Sequence, residues 1–449
     1  MYVVEQFAQF AVDYRSRGIA SQELHHAKRA VIDWYAALLP GSVVAPVTLL
    51  EKALSEEIGH GGARLALGKP ATTRAAALIN GTASHTVEVD DIFREAIYHP
   101  GAPTIAAALA VAQARGASGE AFLRAVIVGY EISTRIGAAM GRAHYKNWHN
   151  TGTIGCFGAA AAVAELLGLD RKRFAHALAT VTTFTAGLQQ AFRMDSMSKP
   201  LHAGRAAEAG ITAAFAAAEG VTGSLDVLEG EAGFGRAMSS GPDWAQAVAT
   251  LGKEFHITRM TFKNHACCGH TFAPIDGALA LQAQMGIAAV DIEKIHIGTY
   301  KAALEVAGYE TPATPAEGRF SVKYTVATAL THGSVRLAAF EPDRLNHPAT
   351  RALMKKIDLS VDAELDAAFP GQRAARIAIE TRDGRRGEYL QPTRKGDPEA
   401  PLTDAELEHK YLELAIPVIG AESASALLKK LWNLDATASI ETLSSEKTK

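Results

Sequence analysis

Alanine recurs through the first two-thirds of this chain at a density that packed helices use better than any other element. A methyl side chain combines the highest helix propensity with a small cross-section that lets neighbouring helices approach closely. Apolar residues fall on helical spacing over 21–39, 72–89, 103–115, 119–142, 153–167, 171–189 and 203–219. Pro103 suits a first helical turn, and Gly116 and Gly168 stand where C-terminal glycines belong. Strand-like alternation is absent up to about residue 265, so this part reads as one large helical domain.

The texture changes after Asp276. Ile292-Glu-Lys-Ile-His-Ile-Gly-Thr-Tyr300 alternates like a strand, with Ile295, Ile297 and Thr299 on one face. Arg376-Ile-Ala-Ile-Glu-Thr-Arg382 predicts a second strand, and Asp383-Gly384 predicts a hairpin turn into a third at 386–390. Helices are expected at 279–285, 321–331 and 350–356. After the break Gly396-Asp-Pro-Glu-Ala-Pro401, Thr403 and Glu406 form a capping-box pattern opening a final helical pair, 404–415 and 421–433. The tail after Asp435 is expected to fray. The fold class is therefore mainly α, with a helical domain of 1–268 and 402–449 and a smaller α+β lid domain of 269–401.

Composition removes several function classes. The chain has 449 residues with 45 Lys+Arg against 48 Asp+Glu. With no basic excess to displace counterions from phosphates, a nucleic-acid partner is not expected. The most apolar stretches, 105–114 and 156–169, are interrupted well before the ~20 residues a membrane span needs. Met1-Tyr-Val-Val-Glu-Gln lacks the basic and apolar regions of a signal peptide. Three cysteines, Cys156, Cys267 and Cys268, cannot staple a chain of this size, so a cytoplasmic location is expected.

Gly152, Gly155 and Gly158 do not have dinucleotide-loop spacing and follow no strand, so they read as sites of close helix approach. His265, Cys267, Cys268 and His270 form one compressed knot without a second ligand set, which reads as a polar turn, and no metal is expected. No nucleophile elbow, P-loop or H-E-x-x-H motif is present. What remains is a set of histidines, lysines and acids at Gly/Pro breaks. They are His85-Thr-Val-Glu-Val-Asp-Asp91, Tyr98-His-Pro-Gly-Ala-Pro103, His144-Tyr-Lys-Asn-Trp-His-Asn-Thr-Gly152, Ser198-Lys-Pro-Leu-His-Ala-Gly-Arg205 and Thr261-Phe-Lys-Asn-His265. Several of these stand beside helix starts, where backbone N–H groups attract anions. Together they would make a pocket for a substrate carrying several carboxylates.

At these motifs, and at Phe262-Lys-x-x-x-Cys-Cys268 and Arg319-Phe-Ser-Val-Lys-Tyr324, the sequence resembles the MmgE/PrpD family over nearly its whole length. That family includes 2-methylcitrate dehydratase, cis-aconitate decarboxylase and iminodisuccinate epimerase. The resemblance implies a helical domain with an α+β lid, a catalytic cleft between them, a homodimer and no cofactor. It also implies functional positions at Glu88, Asp90, Asp91, His99, His149, Lys199, Lys263 and Tyr324. Some relatives carry Asp where Glu88 stands, and the decarboxylase has His where Cys268 falls, a departure that points away from decarboxylation.

The reactions of that family share a carbanion next to a carboxylate, whose charge must be held by fixed cations and donors. Lys199, Lys263, His149 and His202 are candidates to supply them. His99, backed by Asp90 or Asp91, is the expected general base. His149 or Tyr324 is the expected acid for a departing hydroxyl. Tyr145, Cys268, His270, Arg193 and Arg259 are expected near the substrate. The favoured expectation is a cofactor-free hydro-lyase for a small di- or tricarboxylic hydroxy acid, 2-methylcitrate dehydratase-like. Epimerisation and decarboxylation are the alternatives within the class, and an inactive binding scaffold is the alternative outside it.

Overall fold

Helices dominate the computed structural model, which describes residues 1–192, 196–441 and 443–444. The chain divides into two compact units, Met1–Thr261 with Thr403–Lys449, and Phe262–Leu402. The larger unit ends before Lys263, so the stretch from Phe262 to Cys268 belongs to the smaller unit and not to the helical one.

The larger unit is built around the helix Gly155–Leu166, which is buried on nearly every side. Its sequence is apolar all round, and such a helix can only be satisfied inside a bundle. Its one charged side chain, Glu165, meets Arg15 at 2.9 Å. Helices Gly101–Arg115, Gly119–Tyr145 and Ser198–Ala218 pack against it. Glycine sets the approach. A Cβ at Gly155 would lie 2.6 Å from Pro103 Cγ, and one at Gly158 would lie 2.4 Å from Thr104 Oγ1. The triplet Gly152, Gly155 and Gly158 is therefore a packing seam.

Elements outside the expected segments include the helices Val3–Arg15, Val47–Ala53 and Trp244–Ala249 and a small hairpin, β1 (Ile58–Arg64) with β2 (Pro70–Ala71). β1 carries three glycines and is mostly exposed, so it offers no alternation to detect. The last helices, Asp404–Ile419 and Ala421–Trp432, begin with the Thr403/Glu406 capping box. The following tail does not fray over its described part. Gly119 N donates to Thr437 O, Ile440 N to Ala117 O and Gln113 Nε2 to Leu443 O, and Ile440 and Leu443 are buried. Residues 442 and 445–449 of that tail lie outside the described residues.

The smaller unit holds a four-stranded sheet ordered β4-β3-β5-β6, comprising β3 (Ile292–Thr299), β4 (Ile357–Val361), β5 (Ala375–Thr381) and β6 (Arg386–Gln391). Ile295, Ile297 and Thr299 are all buried, and Gly384 turns β5 into β6 at φ 83°. β4 pairs parallel to β3 and was not expected. In Ile-Asp-Leu-Ser-Val only Ile357 is buried, so an edge strand of this kind reads as loop. Helix Phe272–Met285 packs on β5 and β6. No helix among the described residues is long and apolar enough to cross a membrane.

The glycine seams carry a measurable expectation. A Cβ at Gly210 would lie 2.5 Å from Ala160 N, a backbone atom that cannot rotate away. Gly210→Ala gains ~1 kcal/mol of helix propensity and meets an overpacking cost of ~1–3 kcal/mol, so a lower thermal midpoint is expected. Gly18→Ala, which meets nothing within 4 Å, should leave the midpoint unchanged. Equal midpoints for the two variants would contradict the seam.

Candidate active site

The acidic loop begins where helix Thr73–Thr86 ends, with His85 in its last turn. Glu88 takes φ 62°, unusual for a side chain of its size, and Ile92 pairs with Thr261. Phe93 and Tyr98 then exchange backbone hydrogen bonds of 2.7 and 3.2 Å around a turn. That closure carries His99 back beside the residues that started the loop.

The result is one carboxylate oxygen shared by two imidazoles. His85 Nδ1 lies 2.6 Å from Asp90 Oδ2, and His99 Nδ1 lies 3.1 Å from the same oxygen. The first contact is a hydrogen bond, and the second is an ion-pair approach off the line of one. Burial alone would raise the Asp90 carboxyl, yet His99 and His85, by charge and hydrogen bond, hold it well below the usual range. Burial pushes His85 down to about 3, so its ring is neutral and its Nδ1–H donates to an ionised Asp90. The His99 side chain is 14% exposed, and its Nε2 lies across the ring from Asp90.

Asp91 has a different task. Its Oδ1 accepts from Gly101 N at 3.1 Å and its Oδ2 from Tyr130 Oη at 2.7 Å, which ties the carboxyl to the start of helix Gly101–Arg115. Of the two adjacent acids, Asp90 is the one at His99. Burial, and then the charge of Asp33, push Asp91 up to about 7.

His149 stands at the N-cap of the short helix Asn150–Thr153. Its ring stacks on His85 at 5.4 Å and meets the Phe192 edge at 4.8 Å. Its Nδ1 is 2.9 Å from His202 Nδ1, so one of these nitrogens donates and the other accepts. Burial holds both histidines below the ordinary imidazole range. One turn before His202 on helix Ser198–Ala218, Lys199 forms an ion pair with Glu88 and lies 5.2 Å over the Phe192 ring. Glu88, Asp90, His99, His149, Lys199 and His202 thus gather in the larger unit, together with His85 and Phe192. Tyr145 is half-buried at the end of helix Gly119–Tyr145. Arg259 is half-buried and pairs at 2.6 Å with Glu95. Arg193 lies outside the described residues.

Within the smaller unit, Lys263 is buried, and Cys268 is half-buried with its N–H on Arg319 O at 2.9 Å. His270 Nδ1 meets Tyr300 Oη at 2.8 Å, and burial, with the charges of Arg373 and Arg394, pushes its ring down to about 4. Tyr324 lies in the same unit. Its side chain is fully buried and its hydroxyl donates to Ala339 O, which makes it a core residue. The His265–His270 knot also disperses: His265 bonds Asp276 and Cys267 meets Thr271. Among the described residues, the group whose ligand atoms lie close enough to hold a metal is His85, Asp90 and His99, within 4.8 Å of one another.

Comparison with known proteins agrees with the motifs. The MmgE/PrpD N-terminal domain model matches residues 5–247, and the MmgE/PrpD C-terminal domain model matches 265–434. The chain belongs to the MmgE/PrpD family. A cis-aconitate decarboxylase-like protein, oryM, of Aspergillus oryzae is 29% identical over 98% of this chain and 96% of that protein. Human cis-aconitate decarboxylase is 28% identical over 80% of this chain and 76% of its own length. The 2-methylcitrate dehydratase of Escherichia coli is 27% identical over 51% of this chain and 50% of its own.

In this family member the histidine cluster and Lys199 all fall inside the matched N-terminal domain, whereas Lys263 falls between the two matched regions. His85 was not among the expected site residues. Its signal was its place at the head of the His-x-x-x-x-Asp-Asp run. Phe192 left no signal.

The contrast between the two acids can be measured. A carboxyl whose folded value is raised binds its proton more tightly on folding. Its contribution to stability is whole below the ordinary carboxylate value of ~4 and is lost as pH rises through about 7. The thermal midpoint of Asp91→Asn should therefore fall less than that of the parent between pH 5 and pH 8. Parallel curves would remove Asp91 from the buried position assigned to it.

Proposed function

We propose that this family member is a lyase for a small di- or tricarboxylic acid, acting through a carbanion next to a carboxylate. The observation that supports this reading most is the grouping, on one unit, of an imidazole backed by ionised Asp90 with the Lys199 ammonium. Glu88 neutralises Lys199 in the absence of substrate, and a substrate carboxylate competes for the same ammonium. Such a charge-assisted contact strengthens as negative charge builds on that carboxylate in the transition state. Asp90 stands 3.1 Å from His99 Nδ1, a charge beside that nitrogen that leaves Nε2 to move a proton.

Decarboxylation is the first specific reading, favoured by relatives of that name matched over most of their length. The C–C bond to the departing CO₂ breaks, its electron pair stays on carbon, and His99 delivers a proton to that carbon. Dehydration, expected from Cys268, is the second reading and has the shorter match. There His99 removes the proton next to the carboxylate and the C–O bond breaks. The departing hydroxide takes up the proton that His99 removed, since burial leaves His149 and His202 neutral. The two readings need His99 in opposite protonation states at the start. Lys263 remains a candidate for holding a further carboxylate.

The first test is a panel of polycarboxylic acids assayed for CO₂ release and for water elimination. With the acid that turns over, His99→Gln should lower kcat by ~10²–10⁴ with little change in KM, the usual share of general acid–base catalysis. Lys199→Ala should damage both constants, and in thermal-shift titrations it should lose the stabilisation that the same acid gives the parent. A scaffold that binds acids without turning them over would show the thermal shift alone, and that outcome would contradict the reading. Exhaustive chelation is expected to leave activity intact. Activity that is lost on chelation and restored by one metal would move the chemistry to a Lewis acid at His85, Asp90 and His99.

A further inference from the structure

One fully buried ammonium in the larger unit belongs to none of the motifs. Lys410, on helix Asp404–Ile419, has no exposed surface, and its Nζ lies 2.5 Å from Asp33 Oδ1 and 2.7 Å from the carbonyl oxygen of Val89. Asp33, on helix Ser21–Gly41, is equally buried, and its Oδ2 has no hydrogen-bond partner among the described residues. Burial therefore raises the Asp33 carboxyl, although Lys410 works against the rise.

A buried ion pair of this kind is poor value for stability. Removing two charges from water consumes most of what their attraction returns, and a well-packed apolar pair often does as well or better. What the ammonium does that an apolar side chain cannot do is grip a backbone carbonyl. The carbonyl it grips is the hinge of the acidic loop. Val89 sits between Glu88, which pairs with Lys199, and Asp90, which receives His85 and approaches His99. Glu88 holds a left-handed backbone at φ 62°, a conformation that needs support from its surroundings. The preceding helix ends before this loop, so no helical hydrogen bond fixes Val89 in the way the ammonium does.

We infer that Lys410 is a positioning residue, which fixes the Val89 carbonyl and through it the direction in which Asp90 is presented to His85 and His99. Asp33 is the second acceptor of the Lys410 Nζ, and the hydrogen bond donated to Val89 is the contact that sets the loop. The inference rests on the proposed acid–base role of His99 only for its kinetic consequence. Its structural content, the placement of Asp90, can be read without turnover.

The readout is the His85 Nδ1–H proton. A short, buried, charge-assisted bond to Asp90 should give a far-downfield signal in the one-dimensional proton NMR spectrum of the full chain, assigned by its loss in Asp90→Asn. Lys410→Met keeps length and removes charge, and this signal should shift or disappear. Because that variant strands Asp33 and can unfold, it is paired with Lys410→Met/Asp33→Leu, which fills the same space with apolar side chains. The double variant should regain the parental thermal midpoint and still lack the signal. Asp33→Asn, which leaves Lys410 on Val89, should keep the signal. With a turned-over acid, the double variant should lose about ten-fold or more in kcat with KM little changed, as expected for a misplaced acid–base group. A double variant that regains the signal along with its midpoint would make the pair merely structural and overturn the inference, as would loss of the signal in Asp33→Asn. A normal pattern of signals in a protein that turns over no acid would leave the inference standing and count against the proposed function.

Discussion

Everything proposed for this protein depends on one oxygen atom, Oδ2 of Asp90, held between the rings of His85 and His99. Burial would neutralise a lone carboxyl there, and the two imidazoles keep it ionised. His85 is too deeply buried to take up a proton itself, so it acts as a fixed donor. His99 is the member of the trio with exposed surface. An ionised carboxylate behind a partly exposed imidazole is the arrangement that sets a ring's tautomer and orientation in many acid–base sites.

Such a loop needs a rigid frame, and the alanine–glycine bundle supplies it. Helices that meet through methyl groups and bare Cα atoms cannot slide without steric cost, because the interior is already close-packed. His85 is fixed by the end of one of these helices, Lys199 and His202 by the start of another, and His149 by the cap of a short third. Phe192 lies against both His149 and Lys199, adding an apolar wall that lowers the dielectric around the pair.

The sequence displayed some of this and hid the rest, for physical reasons. Helices such as Gly101–Arg115 and Asp404–Ile419 announced themselves because helical period agreed with a terminal signal, Gly116 after the first and the Thr403/Glu406 capping box before the second. β4 was hidden because an edge strand with one buried residue has no alternation. Asp90 and Asp91 are neighbours of identical chemistry, and only the fold decides that one faces His99 while the other caps a helix. The Tyr324 motif matched in residue type, but a tyrosine hydroxyl can serve a substrate or a backbone carbonyl, and here Ala339 receives it. Lys410 was illegible for another reason. Its partners Asp33 and Val89 lie more than 300 residues away in sequence, and no local pattern encodes such a pairing.

The central claim is that a carbanion forms next to a substrate carboxylate and that His99, backed by Asp90, exchanges the proton at that carbon. The most direct measurement follows candidate acids by NMR in D₂O with the parent and with Asp90→Asn. The account expects the parent to place deuterium on the carbon next to a carboxylate, in substrate or product, and expects Asp90→Asn to slow that incorporation by ~10²-fold or more. Incorporation at the parental rate in Asp90→Asn, or CO₂-releasing turnover that leaves that carbon without deuterium, would contradict it.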